Sequence, residues 1–205
     1  MPGRWLGSWA SNGDIPVFRQ TDDWFEGSLD PARWTDLTFG AVSGAIGSGQ
    51  YDFTVAAAGT GGSFLTSQVT HDITGDAFAI QVLAAGDQES GYQTYAAEFF
   101  VDSNNRVFIT IAGGFIGAWQ VVAGVATPQS FTAYVPANHL WFQLRTDLTT
   151  TYWEASANGL SWTALASAAS PIPTENVSLR IGADCFSPVL ASKTISFGRI
   201  GSLSP

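Results

Sequence analysis

Apolar residues alternate with polar or small residues along most of the chain, which is the pattern of half-buried β-strands. Segments 78–83, 107–111 and 140–145 show it most clearly. The sequence DSNN at 102–105 favours a tight turn, because Asp and Asn tolerate left-handed backbone conformations. We therefore expect segments 78–83 and 107–111 to be neighbouring antiparallel strands. In the third segment, Phe142 and Leu144 should face a core and Trp141 should face outward.

Turn signals at regular intervals predict about 12 to 14 strands in total, and no segment has a convincing helical period. Asn158-Gly159 supplies a hairpin signal between strands at 152–156 and 161–165. The Ala-rich window 165–170 ends at Pro171, so we expect a loop or a single turn there. Many strands without crossover helices predict two packed antiparallel sheets.

The first 20 residues lack this alternation and are predicted to form an N-terminal arm, with residues 21–205 as one sandwich domain. Trp5 and Trp9 lie in the arm among glycines. One interpretation is that both rings fold back onto the sandwich. The other is that they dock a neighbouring subunit as aromatic anchors.

Composition excludes several classes of partner. The formal charge is −9, so the surface has the wrong sign for phosphate neutralisation, and nucleic acid is not expected as a partner. Lys193 is the only lysine, which argues against a polybasic lipid-binding patch. Cys185 is the only cysteine, so no intramolecular disulfide is expected. The N-terminus lacks a signal-peptide pattern, and no apolar run is long enough to cross a membrane.

Three segments carry a family resemblance. DDWFEGSLDPARW at 22–34, the strand-turn-strand pattern at 63–84 and LWFQLRTDLTTTYWEASANGLSWTAL at 140–165 resemble concanavalin A-like lectin/glucanase domains, of which laminin-G-like domains are relatives. The resemblance implies an all-β, two-sheet antiparallel jelly-roll β-sandwich, often with a carbohydrate-binding concave face. Glucanase members carry a Glu-x-Asp-x-x-Glu strand whose carboxylates face the cleft, and the glutamates here lack that spacing.

No catalytic constellation is evident from the residues. Glu98 lies in the apolar strand YAAEFFV and Glu154 follows a tryptophan, and each is interpreted as an outward residue on a solvent face, with a cleft carboxyl as the alternative. Neither has an acidic partner two residues away on the same strand face. His71 and His139 stand apart from any nucleophile motif. We therefore expect a protein that is not an enzyme.

Calcium is the one cofactor that the sequence leaves open. Asp102, Asn104 and Asn105 could supply oxygen ligands at a sandwich rim, and so could Asp72 with Asp76. Each cluster is also typical of an ordinary turn. No other cofactor is expected.

Aromatic residues number 27 of 205, and those on outward strand positions are candidates for ligand contact. A sugar face could stack on such rings, a neighbouring subunit could bury them, or loops of the same sandwich could cover them. Trp141 and Tyr152 lie on outward positions by strand phase, whereas the sequence leaves the phase of the other three candidates open. The candidates for carbohydrate or partner binding are Trp119, Trp141, Tyr152, Tyr92 and Tyr95.

Two functional hypotheses follow. The first is a non-enzymatic structural or adhesive module of a virion, such as a phage minor tail protein, assembled in the host cytoplasm. Its expected partners are other virion or tail subunits, further copies of itself and a possible surface glycan. The alternative is a carbohydrate-binding lectin or a divergent glycoside hydrolase of the same fold.

Overall fold

Every regular element that the computed structural model describes is a β-strand; the described residues are 17–18, 25, 28–85 and 91–204. Fifteen strands lie within these ranges. In the same ranges, no helix has the length and apolarity needed to cross a membrane. Trp5 and Trp9, predicted to lie in the arm, fall outside the described residues, so both interpretations of the arm stay predictions.

The strands form two sheets in which all pairings are antiparallel. The eight-stranded sheet contains β1 (Val17–Phe18), β3 (Val42–Gly47), β4 (Gln50–Val55), β6 (Ala77–Ala85), β11 (Trp141–Thr146), β12 (Thr150–Ser156), β13 (Thr163–Ala169) and β15 (Lys193–Ser204). The seven-stranded sheet contains β2 (Trp34–Gly40), β5 (Gly61–Ser67), β7 (Tyr92–Asp102), β8 (Asn105–Ala112), β9 (Phe115–Val122), β10 (Val125–Ala133) and β14 (Ser178–Cys185).

Among the described strands, six of the thirteen pairings join consecutive strands and seven join strands that are not consecutive along the chain. The eight-stranded sheet has the order β13-β12-β11-β6-β15-β4-β3, with β1 paired to β15, and the other sheet has the order β10-β9-β8-β7-β14-β5-β2. The chain thus alternates between the sheets, which gives the predicted all-β jelly-roll sandwich. Because parallel crossovers are absent from the described part, no helix is needed to connect strands there.

The core lies between the two sheets and is built from alternate residues of each strand. Phe142 and Leu144 are fully buried in it, as the alternation predicted, while Trp141 on the same strand is only partly buried. Val107 and Ile109 of β8 face the same core from the other sheet. Each sheet therefore has a core face and an outer face, and side chains on the outer faces do not contribute to the core between the sheets.

Two predictions about strands are wrong. Segments 78–83 and 107–111 are not neighbours, because the turn at 102–105 joins β7 to β8, whereas β6 pairs with β11 and β15 in the other sheet. The Ala-rich window is not a loop, since 163–169 forms β13, the edge strand of its sheet, which pairs with β12. Hydrogen bonding to a neighbouring strand overrides the weak strand preference of alanine.

Candidate functional site: an aromatic row on the seven-stranded sheet

Six aromatic rings form a continuous row across the outer face of the seven-stranded sheet. Consecutive ring centroids lie 5.3 to 6.5 Å apart. Six of the seven strands each contribute one ring, so the row runs across the strands. We call this set the aromatic row; in order, its members are Phe39, Phe64, Tyr95, Phe108, Trp119 and Phe131.

Strand register accounts for the continuity of the row. Phe108 of β8 pairs directly with Trp119 of β9, so their rings lie side by side and nearly parallel, with an interplanar angle of 13°. On β14, Gly182 pairs with both Phe64 and Tyr95. Because Gly182 has no side chain, the two flanking rings approach to 5.3 Å across it.

Exposure differs along the row. Phe64, Tyr95 and Phe108 in the middle are buried, with 5 to 8% of each residue exposed. Phe39 at one end is 50% exposed and Phe131 at the other is 58% exposed. Trp119 is partly buried, and the Phe131 ring meets it edge-on at 5.3 Å. Solvent-accessible aromatic surface is therefore concentrated at the two ends of the row.

Two arginines cover the middle of the row. The Arg106 guanidinium lies 5.0 Å from the Phe108 ring centroid, and the Arg180 guanidinium lies 4.4 Å from that of Phe64 and 3.9 Å from that of Phe100. Such cation–π contacts leave the edges of the guanidinium groups available for hydrogen bonds.

Both arginines bind one carboxylate. Arg106 Nη1 donates to Glu98 Oε1 at 3.2 Å, and Arg180 Nε donates to Glu98 Oε2 at 2.5 Å. The Glu98 side chain is completely buried. The prediction that Glu98 is exposed to solvent is wrong. Glu98 does lie on the outer face of the sheet, but Arg106 and Arg180 enclose its carboxylate. The sequence did not indicate that these arginines lie there. Each carboxylate oxygen accepts a hydrogen bond from arginine.

The bulge in β7 determines which side chains accompany Glu98. Register shifts between Tyr95 and Ala97, so two successive alanines, Ala96 and Ala97, both pack in the core. As a result Gln93, Tyr95 and Glu98 share the outer face. Their spacing matches Glu-x-Asp-x-x-Glu with only the last position acidic. With one acidic position of three kept, the spacing by itself does not distinguish Glu98 from the other glutamates of the sequence.

Tyr95 and Asp184 complete the polar surroundings of this strand. Burial raises the pKa of Tyr95, and the nearby Glu98 carboxylate adds to that increase. Burial also raises the pKa of Asp184, which lies on β14 opposite Gln93. Glu98 lies opposite Arg180, so the backbone positions of Glu98 and Asp184 are offset by four residues, or roughly 13 Å, along the strands.

Two of the predicted aromatic residues, Trp141 and Tyr152, do not join the row. Trp141 and Tyr152 lie on the outer face of the eight-stranded sheet, on the opposite side of the sandwich. The Arg145 guanidinium lies 3.8 Å from the Tyr152 ring centroid, and the Tyr152 hydroxyl donates to Asp147. Tyr95 is in the row but buried, so it is not the exposed platform that was considered. The side chain of Tyr92 lies outside the description.

The predicted calcium ligands form a hairpin turn. Asp102 Oδ1 accepts a hydrogen bond from the Asn104 backbone N–H at 2.7 Å, and Asn105 Nδ2 donates to both Asp102 oxygens at 3.1 Å. These N–H donors lower the pKa of Asp102, the Asn105 side chain most strongly. Asp72 and Asp76 likewise accept from backbone N–H groups nearby. Within the described ranges, no group of three or more His, Cys, Asp or Glu residues could hold a metal ion.

Sequence reasoning missed most of the row. Phe39, Phe64, Phe108 and Phe131 occupy outward positions of their strands, opposite in phase to the core residues beside them. Outward phase was the available signal. Outward phase alone does not show that these rings lie side by side. Their alignment depends on the order of the strands, which includes pairings between residues far apart in sequence.

Comparison with solved structures identifies the architecture. The chain is similar to a Bacillus licheniformis β-glucanase, with a TM-score of 0.70 at 9% identity over 90% of this chain and 97% of that one. It is also similar to LamAcat from Zobellia galactanivorans, with a TM-score of 0.67 at 10% identity over 94% and 98% of the two chains. The fold is therefore that of concanavalin A-like jelly-roll glucanases.

A third similar structure is described as an immunostimulatory antigen and pseudo β-1,3-glucanase of Mycobacterium tuberculosis. Its TM-score is 0.58 at 10% identity, covering 90% of this chain and 98% of that chain. No protein-family model matches the sequence, and no curated protein matches it. At such identities the likeness establishes the fold, and function has to be argued from the site.

Proposed function

We propose that this jelly-roll sandwich binds a glycan along the aromatic row and does not hydrolyse it. Three observations support the proposal: the glucanase-like fold, the row of rings on one outer face, and the state of Glu98. The proposal takes up the carbohydrate-binding alternative from the sequence. The proposal also keeps the absence of catalysis from the first hypothesis, and the two arginine contacts of Glu98 support it.

The exposed end of the row supplies the contacts that a sugar needs. Trp119 offers an aromatic surface with the Phe131 ring standing edge-on beside it. Arg106 lies next to this position, because Arg106 and Phe108 face outward on β8 and Phe108 pairs with Trp119. Apolar faces with a few fixed hydrogen-bond donors are the usual composition of small-molecule sites. A pyranose has matching apolar faces and hydroxyl groups.

The observation that carries the choice of binding over cleavage is the double ion pair of Glu98. Glycoside hydrolysis requires one carboxyl to donate a proton while a second acts as nucleophile or base. Glu98 is completely buried and both of its oxygens accept from arginine. Gln93 and Tyr95 stand at the other two positions of the strand, so β7 offers Glu98 no second carboxyl on this face.

The test uses mixed-linkage β-glucan oligosaccharides. Isothermal titration calorimetry measures their binding, and a reducing-sugar assay measures their hydrolysis. We expect binding without release of reducing ends. Trp119→Ala should weaken binding by about tenfold, since one stacked aromatic contact contributes on the order of 1 kcal/mol. Trp141→Ala, on the opposite outer face, is the matched control and should leave affinity unchanged.

Two results would contradict the proposal. Release of reducing ends by the wild-type protein would show hydrolysis. Equal loss of affinity in Trp119→Ala and Trp141→Ala would mean that the row is not the binding surface. The virion hypothesis, with its tail-subunit partners, homo-oligomer and host-assembled location, stays a prediction from the sequence.

A further inference from the structure

Three outward positions next to the aromatic row are glycines whose backbone does not require glycine. They are Gly62 on β5, Gly117 on β9 and Gly182 on β14. Their φ angles lie outside the left-handed region, in contrast to turn glycines such as Gly113 and Gly124. Other residues adopt such strand conformations readily, and glycine weakens a strand interior. The reason for these glycines therefore lies in their surroundings.

A ring of the aromatic row occupies the space above each of them. A Cβ atom on Gly117 would lie 2.4 Å from Trp119 Nε1, and one on Gly182 would lie 2.4 Å from Phe64 Cδ1. A Cβ atom on Gly62 would lie 2.7 Å from Phe39 Cζ. These separations are far below van der Waals contact, so each ring lies down against the backbone of the sheet where a side chain would otherwise stand.

We propose that Gly62, Gly117 and Gly182 are positioning residues that hold the rings flat and so set the affinity of the row for its ligand. This inference rests on the proposed function and deepens it. A ring that lies against the backbone turns its opposite face away from the sheet. Of the three rings that lie against these glycines, Phe39 and Trp119 keep an accessible face on which the apolar face of a sugar unit can stack, whereas Phe64 lies beneath Arg180.

Gly117 offers the cleanest test, because the three atoms nearest to an added methyl group there all belong to side chains. The nearest are Trp119 Nε1, Trp119 Cδ1 and Thr110 Oγ1 at 2.4, 3.1 and 3.0 Å. The indole can rotate away while the backbone stays in place. At Gly182 the methyl group would also lie 2.6 Å from the Ser63 carbonyl oxygen, so Gly182→Ala would disturb the sheet itself.

The experiment compares Gly117→Ala with Gly47→Ala. Gly47 is a strand glycine of β3 with open space around its Cβ position, which makes it the matched control. With mixed-linkage β-glucan hexasaccharide as the probe, Gly117→Ala should weaken binding by about tenfold, comparable with Trp119→Ala. Gly47→Ala should leave it unchanged. Unchanged binding by Gly117→Ala would overturn the inference.

A second readout does not depend on the ligand. Acrylamide quenching of tryptophan fluorescence should increase in Gly117→Ala as the indole of Trp119 lifts from the sheet, and the increase should vanish in a Trp119→Phe background. If quenching does not change, Gly117 does not position Trp119 and the inference is wrong. If quenching changes but the wild-type protein binds no glycan, the positioning survives and the proposed function fails.

Discussion

The structural role of Glu98 is evident only from its neighbours in the folded protein. In the sequence it is a lone acid among apolar residues. In the structure it joins Arg106 of β8 to Arg180 of β14 and lies between two cation–π contacts. This carboxylate thus holds three strands together.

Removing the charge of Glu98 should be costly for stability. Glu98→Gln leaves two largely buried guanidinium groups without a counter-charge, and breaking a buried ion pair in this way typically costs about 3 to 5 kcal/mol. We expect urea unfolding to show a loss of about 3 kcal/mol in the free energy of unfolding. Glu175→Gln, at an exposed position, is the control and should change it little. A similar small change in both variants would contradict the structural role of Glu98.

At the scale of elements, the β7 bulge brings the polar positions of the site together. Without it, strict alternation would put Tyr95 and Glu98, three residues apart, on opposite faces of the sheet. The extra residue allows both to point outward, while two alanines follow each other in the core. Bulges are common next to functional sites for this reason.

The β11–β12 hairpin provides a pH-dependent prediction. Asp147 accepts hydrogen bonds from the backbone N–H groups of Thr149 and Thr150, at 2.8 and 2.7 Å, and from the Tyr152 hydroxyl at 2.9 Å. The two backbone donors contribute most, and together these bonds lower the pKa of Asp147 from 3.8 to about 2. The charged form is therefore favoured in the folded hairpin.

Because the folded pKa is below the unfolded one, the stabilisation is present above pH 3.8 and is lost as the pH falls to about 2. Asp147→Asn removes the charge while keeping the shape. We expect the variant to be less stable than wild type near neutral pH and the difference to disappear by about pH 2. Denaturant unfolding at a series of pH values measures this. A difference that is constant with pH would contradict the role of the charge.

At the scale of the whole molecule, Trp153 connects the two sheets beneath the aromatic row. It lies on β12 of the eight-stranded sheet and is completely buried. Its indole N–H donates to the carbonyl oxygens of Phe108 and Trp119, at 3.1 and 3.2 Å, in the seven-stranded sheet. The contact fixes the backbone of two row residues from the core side.

Trp153→Phe should lower the free energy of unfolding by about 2 kcal/mol or more, because two buried carbonyl groups lose a donor and the smaller ring leaves a gap. Thermal and urea unfolding would measure the loss. Trp141→Phe makes the same substitution at a partly buried tryptophan of the outer face, and it should lower the free energy of unfolding clearly less. Equal losses would mean that the contact between the sheets contributes nothing specific.

The sequence by itself determined the local features of this protein. Alternation predicted the strands and the inward phase of Phe142 and Leu144, because side chains on a strand point to opposite faces whatever the strand pairs with. It also placed Trp141 and Tyr152 on an outer face. The family resemblance then implied that these strands form a two-sheet jelly-roll sandwich.

Only the tertiary structure decided which outward residues meet. β6 and β8 belong to different sheets, and β14 lies between β5 and β7, so the row and the enclosure of Glu98 depend on hydrogen bonding between distant segments. The Ala-rich strand β13 likewise exists because β12 supplies its partners. A residue's own neighbours in sequence set which face it points to, whereas the order of strands sets what lies beside it there, and that order is chosen by the packing of the whole chain.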